Sequence, residues 1–216
     1  MGFNDKRLGT KPKKIRRISL LKRFFAEKIN DNINIKKYIL YNVYSPLNKE
    51  KSKSYDGKIV KINEVFKEKA EDFNLMKEDS NGERRLFLSD FNPDMCDGQG
   101  NYIFISCPNM TINGTMSNLL IYVTIVVPYK FNELGEIGEE RIYKIGEEVE
   151  DLFDQYTLEK KPNNVEDIEN LIVEEVGNVT FELDRVTVTT ARLTKSSDYI
   201  VLSMPFVVNV VGVKRG

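Results

Sequence analysis

From residue 18 onward, Ile18, Leu21, Phe24, Phe25 and Ile29 recur at helical spacing, with Lys22, Arg23, Glu27 and Lys28 opposite. That pattern predicts an amphipathic helix over residues 18–29, stopped by Asn30-Asp31-Asn32. Residues 38–44 alternate weakly and are rich in aromatic and β-branched side chains, which predicts a strand ended by Pro46. Residues 47–58 are polar and predict a loop, while Ile62, Val65, Phe66, Ala70 and Phe73 predict a second helix. A turn at Ser80-Asn81-Gly82 then leads to a short strand over 85–89 and a loop rich in Asp, Asn and Gly as far as Gly100. Residues 102–106 form a strand ended by Pro108, and 111–118 a turn region. Residues 119–127 are apolar on both alternations, which places that strand centrally in a sheet covered on both faces.

A connection with two glycines, 131–138, precedes a helix from Glu139 to about Tyr156, with Ile142, Ile145, Val149, Leu152, Phe153 and Tyr156 on one face. Its acidic residues crowd the N-terminal half, where the helix dipole favours them. Asn164 is placed to cap a short helix over 165–176, ended by Gly177. Two strands, 179–193 and 198–213, follow around the turn Thr194-Lys195-Ser196-Ser197. They are far longer than the roughly five or six residues of an ordinary strand. The order of elements predicts an α+β fold: a mostly antiparallel sheet with helices packed on one face, a long C-terminal β-hairpin and a basic N-terminal arm. Residues 1–17 form the arm, and 18–216 a single domain with an insertion at about 47–100. So long a hairpin has more edge than one small core covers, and pairing between subunits is one way to cover it.

Charge sharpens that picture. The net charge of −1 conceals two opposed blocks. Lys6, Arg7, Lys11, Lys13, Lys14, Arg16 and Arg17 face only Asp5 within the first 18 residues. Between residues 133 and 154, nine carboxylates face only Arg141 and Lys144. The blocks suit attraction between neighbouring copies, or docking on an outside partner. For Lys11, Lys13, Lys14, Arg16 and Arg17 three readings stand: a solvated tail, docking on an acidic protein surface, or salt-sensitive contact with nucleic acid phosphates. Aromatic interleaving is nearly absent there, so base stacking is not indicated. The acidic face of the 139–156 helix reads as solvated, or as a surface that repels or guides polyanions such as transiting DNA.

Histidine is absent, which excludes Ser–His and Cys–His nucleophiles and removes the commonest base and metal ligand. Asp90, Asn92 and Asp94 have calcium-loop spacing, but Met95 stands where the turn needs glycine and Asn101 where a bidentate glutamate is needed. The plainer reading is a turn whose side chains bond their own backbone. Asp97-Gly98-Gln99-Gly100-Asn101 precedes a strand, so it is no phosphate cradle. Cys96 and Cys107 suit neither a disulfide framework nor a zinc site, and a reduced, cytosolic site of synthesis follows. The sequons at Asn109, Asn113 and Asn178 are then chance matches. The longest apolar run spans about ten residues against about twenty for a membrane span, and the basic N-terminus lacks a secretory signal's apolar stretch. No catalytic residue, cofactor or metal site is expected.

The central strand 119–127, a flexible link, a helix spaced like 142–153 and a closing hairpin resemble the tail-terminator, or tail-completion, proteins of long-tailed bacteriophages. A helix over 20–29 ahead of the sheet is similar to that family's first helix. Arg185-Val186-Thr187-Val188 and Asp198-Tyr199-Ile200-Val201-Leu202 resemble its last two strands. The likeness covers residues 20–44 loosely and 101–213 better, through order and hydrophobic pattern. It implies a structural, non-enzymatic virion protein, assembled in the host cytoplasm as a homo-oligomeric ring, typically a hexamer. Such a ring ends the tail tube and meets a neck or head-completion protein. The alternatives are another neck or baseplate part, or a nucleic-acid-binding module acting through the arm. Tyr129, Phe131 and Tyr156 are candidate interface anchors, since aromatics are enriched at interfaces. The arm and the insertion depart from the family's compact members.

Overall fold

A computed structural model describes residues 13–48, 50–65, 69–78, 82–96, 99–108, 119–135, 138–159, 167–193 and 199–211, with side chains of the first helix from Arg16 onward. The first helix, α1 (Lys13–Asp31), begins five residues before its predicted start at Ile18, so 13–17 are helical and not part of a free arm. Residues 1–12 lie outside the described residues. Asn32 ends α1 and starts α2 (Ile33–Leu40): its side chain accepts from the N–H groups of Asn34 (2.9 Å) and Ile35 (3.0 Å). The expected strand over 38–44 is therefore not formed. The cap fixes the first turn, and Ile35, Tyr38 and Ile39 then share one buried helical face. Only Val43 keeps a β contact, a bridge to Ser54.

The predicted 47–58 loop contains half of a small hairpin, β1 (Lys51–Lys53) with β2 (Ile59–Lys61). Of the predicted helix after it, one turn is described, α3 (Ile62–Val65); Phe66 lies outside the described residues, and Ala70, Phe73 and Leu75 are buried from non-helical backbone. Then come β3 (Leu86–Phe87), β4 (Tyr102–Ser106) and β5 (Leu119–Pro128). The predicted turns at 80–82 and 111–118 lie largely or wholly outside the described residues. The expected flexible link holds two paired strands, β6 (Glu133–Leu134) with β7 (Glu139–Glu140), which deliver the chain into α4 (Arg141–Phe153). After β8 (Thr157–Leu158), α5 (Ile168–Glu175) is capped by Asp167, whose carboxylate accepts from the N–H of Asn170 at 2.7 Å. Asn164 lies outside the described residues, and Gly177 (φ +106°) ends the helix region as expected. The chain closes with β9 (Asn178–Leu183), β10 (Thr189–Leu193) and β11 (Tyr199–Val211).

The main sheet runs β3-β4-β5-β11-β9-β8, with β10 also paired to β11. Every pairing is antiparallel except β3 with β4. The fold is thus α+β, as its element order predicts. β5 and β11 share ten residue pairs, from Tyr199↔Pro128 to Val208↔Leu119, and form the centre. One sheet face carries the main core. There Phe25 of α1 stacks on Phe153 of α4 (ring centroids 4.0 Å apart) and meets Phe181 (5.1 Å) and Phe206 (5.5 Å) edge-on. The other face is covered at one end only, where Tyr102, Phe104, Val126, Tyr199 and Val201 pack with Phe87 and Phe91. β5 is accordingly buried on both faces over its C-terminal half, while Leu120 and Tyr122 stay half-buried.

Candidate self-association surface

The predicted 179–193 strand is two strands, and the reason lies in the strand opposite. Leu183 pairs with Phe206 and Thr189 with Ser203, so residues 184–188 face only Met204 and Pro205. Proline has no N–H to give to the ladder. Its carbonyl accepts from the N–H of Asp184 at 2.9 Å, so the missing donor would have pointed to this same side. The chain therefore bulges out at 184–188 and re-enters the sheet as β10.

Arg185, at the head of the bulge, pins it to α4 through Glu150 (2.6 Å) and Asp154 (2.5 Å). Asp154 also accepts from the N–H of Leu183 at 2.9 Å. That backbone N–H first, and Arg185 after it, hold the Asp154 carboxyl below the usual carboxylate range. A folded-state value below the unfolded one gives stability that is present above the ordinary carboxylate pKa. It is lost as pH falls through the lower folded value. Asp154→Asn is therefore expected to lower stability by about 1 kcal/mol at pH 7. The gap from the unaltered protein should narrow below about pH 4, measured as urea midpoints at several pH values.

Beyond the bulge, Thr189, Thr190, Ala191 and Arg192 are exposed on both faces of β10, and Val186 in the bulge is 93% exposed. Tyr129, just after β5, is 51% exposed and lies under the Arg192 guanidinium at 4.1 Å. Of the three expected anchors only Tyr129 is displayed. Phe131 packs on Tyr55 (5.3 Å), and its carbonyl takes hydrogen bonds from Arg141 and Tyr55. Tyr156 packs on Phe24 (5.8 Å) and donates to Glu169 at 3.0 Å. Both are half-buried and engaged within the chain.

The charge blocks find partners that the sequence did not indicate. Arg16 pairs with Glu175 (3.1 Å) and Lys28 with Glu169 (2.7 Å), so the basic helix α1 docks on α5 of its own chain. Arg17 is half-buried on the same helix, Lys13 and Lys14 lie in its first turn, and Lys11 is outside the described residues. The carboxylates of α4 are mostly engaged as well. Glu148 accepts from Asn32 (3.1 Å) and Asn34 (2.9 Å), Glu147 pairs with Lys144, and Glu150 holds Arg185.

Arg141, counted in the sequence as a lone cation in that acidic block, is fully buried. Its guanidinium donates to the carbonyls of Phe131 (2.8 Å), Tyr38, Tyr41 (3.0 Å) and Val43 (2.7 Å), and to the Tyr55 hydroxyl (3.2 Å). It joins the C-terminal end of α2 to the α4 N-terminus, and burial pulls its pKa down. No local pattern in the sequence marks such a role.

At the calcium-like spacing, the Asn92 side chain accepts from the N–H of Asp94 at 3.0 Å, the self-bonded turn of the plainer reading. A shallow groove lined by Ile18, Ser19, Lys22 and Leu88 holds Lys22 against the Leu88 carbonyl (2.5 Å). Burial raises the pKa of nearby Cys107, the reverse of an activated thiolate.

A family model, YomW, matches residues 32–176. No curated protein and no solved structure matches the chain.

Proposed function

The chain belongs to the YomW family, which is of phage origin, and from that footing we propose that it is a structural part of the phage particle that works by self-association. In its fuller form, the chain closes into a ring, six-membered by likeness to tail terminators, at the head-proximal end of a tail. It ends the tail tube and joins it to a neck or head-completion protein. The observation that carries self-association is the exposed edge of β10, set out from the core by the bulge opposite Pro205 and flanked by Tyr129 and Val186, while the ring rests on the likeness to tail terminators. Exposed strand edges attract other chains, and natural proteins seldom leave one unguarded without a use for it. The ion pair of Arg16, a member of the basic block, with Glu175 of its own chain favours this over a nucleic-acid module. Chemistry on a substrate forms no part of the proposal.

Light scattering and negative-stain images of the purified full chain, alone and with its tube protein, test the reading. Closed rings of uniform size are expected. A strict monomer in both conditions at high concentration overturns it.

A further inference from the structure

We propose that β10 adds to the β10 of a second copy, the two strands running antiparallel about a two-fold axis at Ala191. β10 is paired to β11 alone, and no other strand of the described residues lies along its far edge. The neighbouring boundaries of the sheet are closed by backbone from elsewhere in the chain. Beside β3, the Leu75 carbonyl accepts from the N–H groups of Leu86 (2.8 Å) and Arg85 (3.2 Å). Beside β9, the Tyr156 carbonyl takes the N–H of Phe181 (2.9 Å), and Asp154 takes that of Leu183. β10 has no proline or lysine to repel a neighbour, and two of its five residues are β-branched threonines.

The sequence of β10 is complementary to itself in one register. With Ala191 on the axis, Thr189 faces Leu193 of the second copy, Thr190 faces Arg192, and alanine faces alanine. All five residues then pair and no like charges oppose. An axis at Arg192 would set two guanidinium groups opposite each other, and a parallel arrangement would set them side by side. The two-fold pair also leaves neither β10 edge open, whereas head-to-tail addition would leave one at each end. The pairing concerns the free subunit and stands apart from the ring, which must close through other surfaces.

A residue on a two-fold axis meets its own copy, which gives the test. Ala191→Glu and Ala191→Lys, in the full chain, each place like charges face to face at an exposed position. Sedimentation equilibrium should show each variant associating about fivefold or more weakly than the unaltered protein. An equimolar mixture of the two should return to the original strength or exceed it. Thr190→Glu, which would face Arg192 of the second copy, should tighten association severalfold; circular dichroism checks that each variant folds. A monomeric unaltered protein, or association indifferent to both charges, overturns the pairing, as does loss in both variants without recovery on mixing. Because the ring closes through other surfaces, rings formed by a subunit that shows no pairing overturn the pairing and leave the ring standing; pairs without rings do the opposite.

Discussion

Arg141→Met is expected to destabilise the protein by about 3–5 kcal/mol, the scale for stripping one member from a buried charged network. The side chain is 0% exposed and donates to four carbonyl oxygens and one hydroxyl oxygen. Two of those carbonyls, Tyr38 and Tyr41, belong to the last turn and C-cap of α2, where carbonyls lack helical donors and the helix dipole favours a cation. Methionine fills much of the volume but donates nothing, so each buried carbonyl bears its desolvation cost. Arg141→Lys should fall between, since an ammonium cannot reproduce the planar fork that reaches Phe131, Tyr41 and Val43 together. Urea unfolding at constant m-value reads the loss. A change below about 1 kcal/mol for Arg141→Met would show that water replaces the guanidinium at little cost.

Phe25→Ala should cost about as much, 3–5 kcal/mol, the range for deleting a buried aromatic from a close-packed core. Phe25 is the ring at which two helices and the sheet meet: α1 supplies it, Phe153 of α4 stacks on it, and Phe181 and Phe206 of the sheet meet it edge-on. Its neighbours stand on different elements that are themselves fixed, so the cavity cannot collapse without moving a helix. Phe25→Leu should recover more than half of the loss, and a thermal or urea series over the three proteins measures it. Equal losses for alanine and leucine would mean that ring stacking, rather than volume, holds the layers.

Where interactions are local, the chain could be read directly. The double-sided apolar run of β5 predicted a central strand, and Ile142, Ile145, Val149 and Phe153 predicted the buried face of α4. The weak alternation over 38–44 predicts a strand where α2 forms, because the cap that starts the helix, Asn32, stands six residues upstream of that segment. The split between β9 and β10 could not be seen within 179–193 at all, because its cause, Pro205, lies on the opposite strand. Charge counting found the two blocks but not their partners. Glu169 and Glu175 sit on a helix outside the acidic run, and Arg141 turned inward while the carboxylates around it stayed near the surface.

The excursion at 184–188 holds three more residues than the two it faces, and three is an odd number. Side chains alternate across a strand, so an odd surplus exchanges inside for outside. Odd-numbered Val179, Phe181 and Leu183 look toward the helices, whereas odd-numbered Thr189, Ala191 and Leu193 look away from them, beside Ser203, Val201 and Tyr199. The length of this detour thus sets the handedness of the whole projecting end. Residues can be gained or lost there two at a time, while a single deletion would turn Arg192 from one face to the other and lift it off Tyr129.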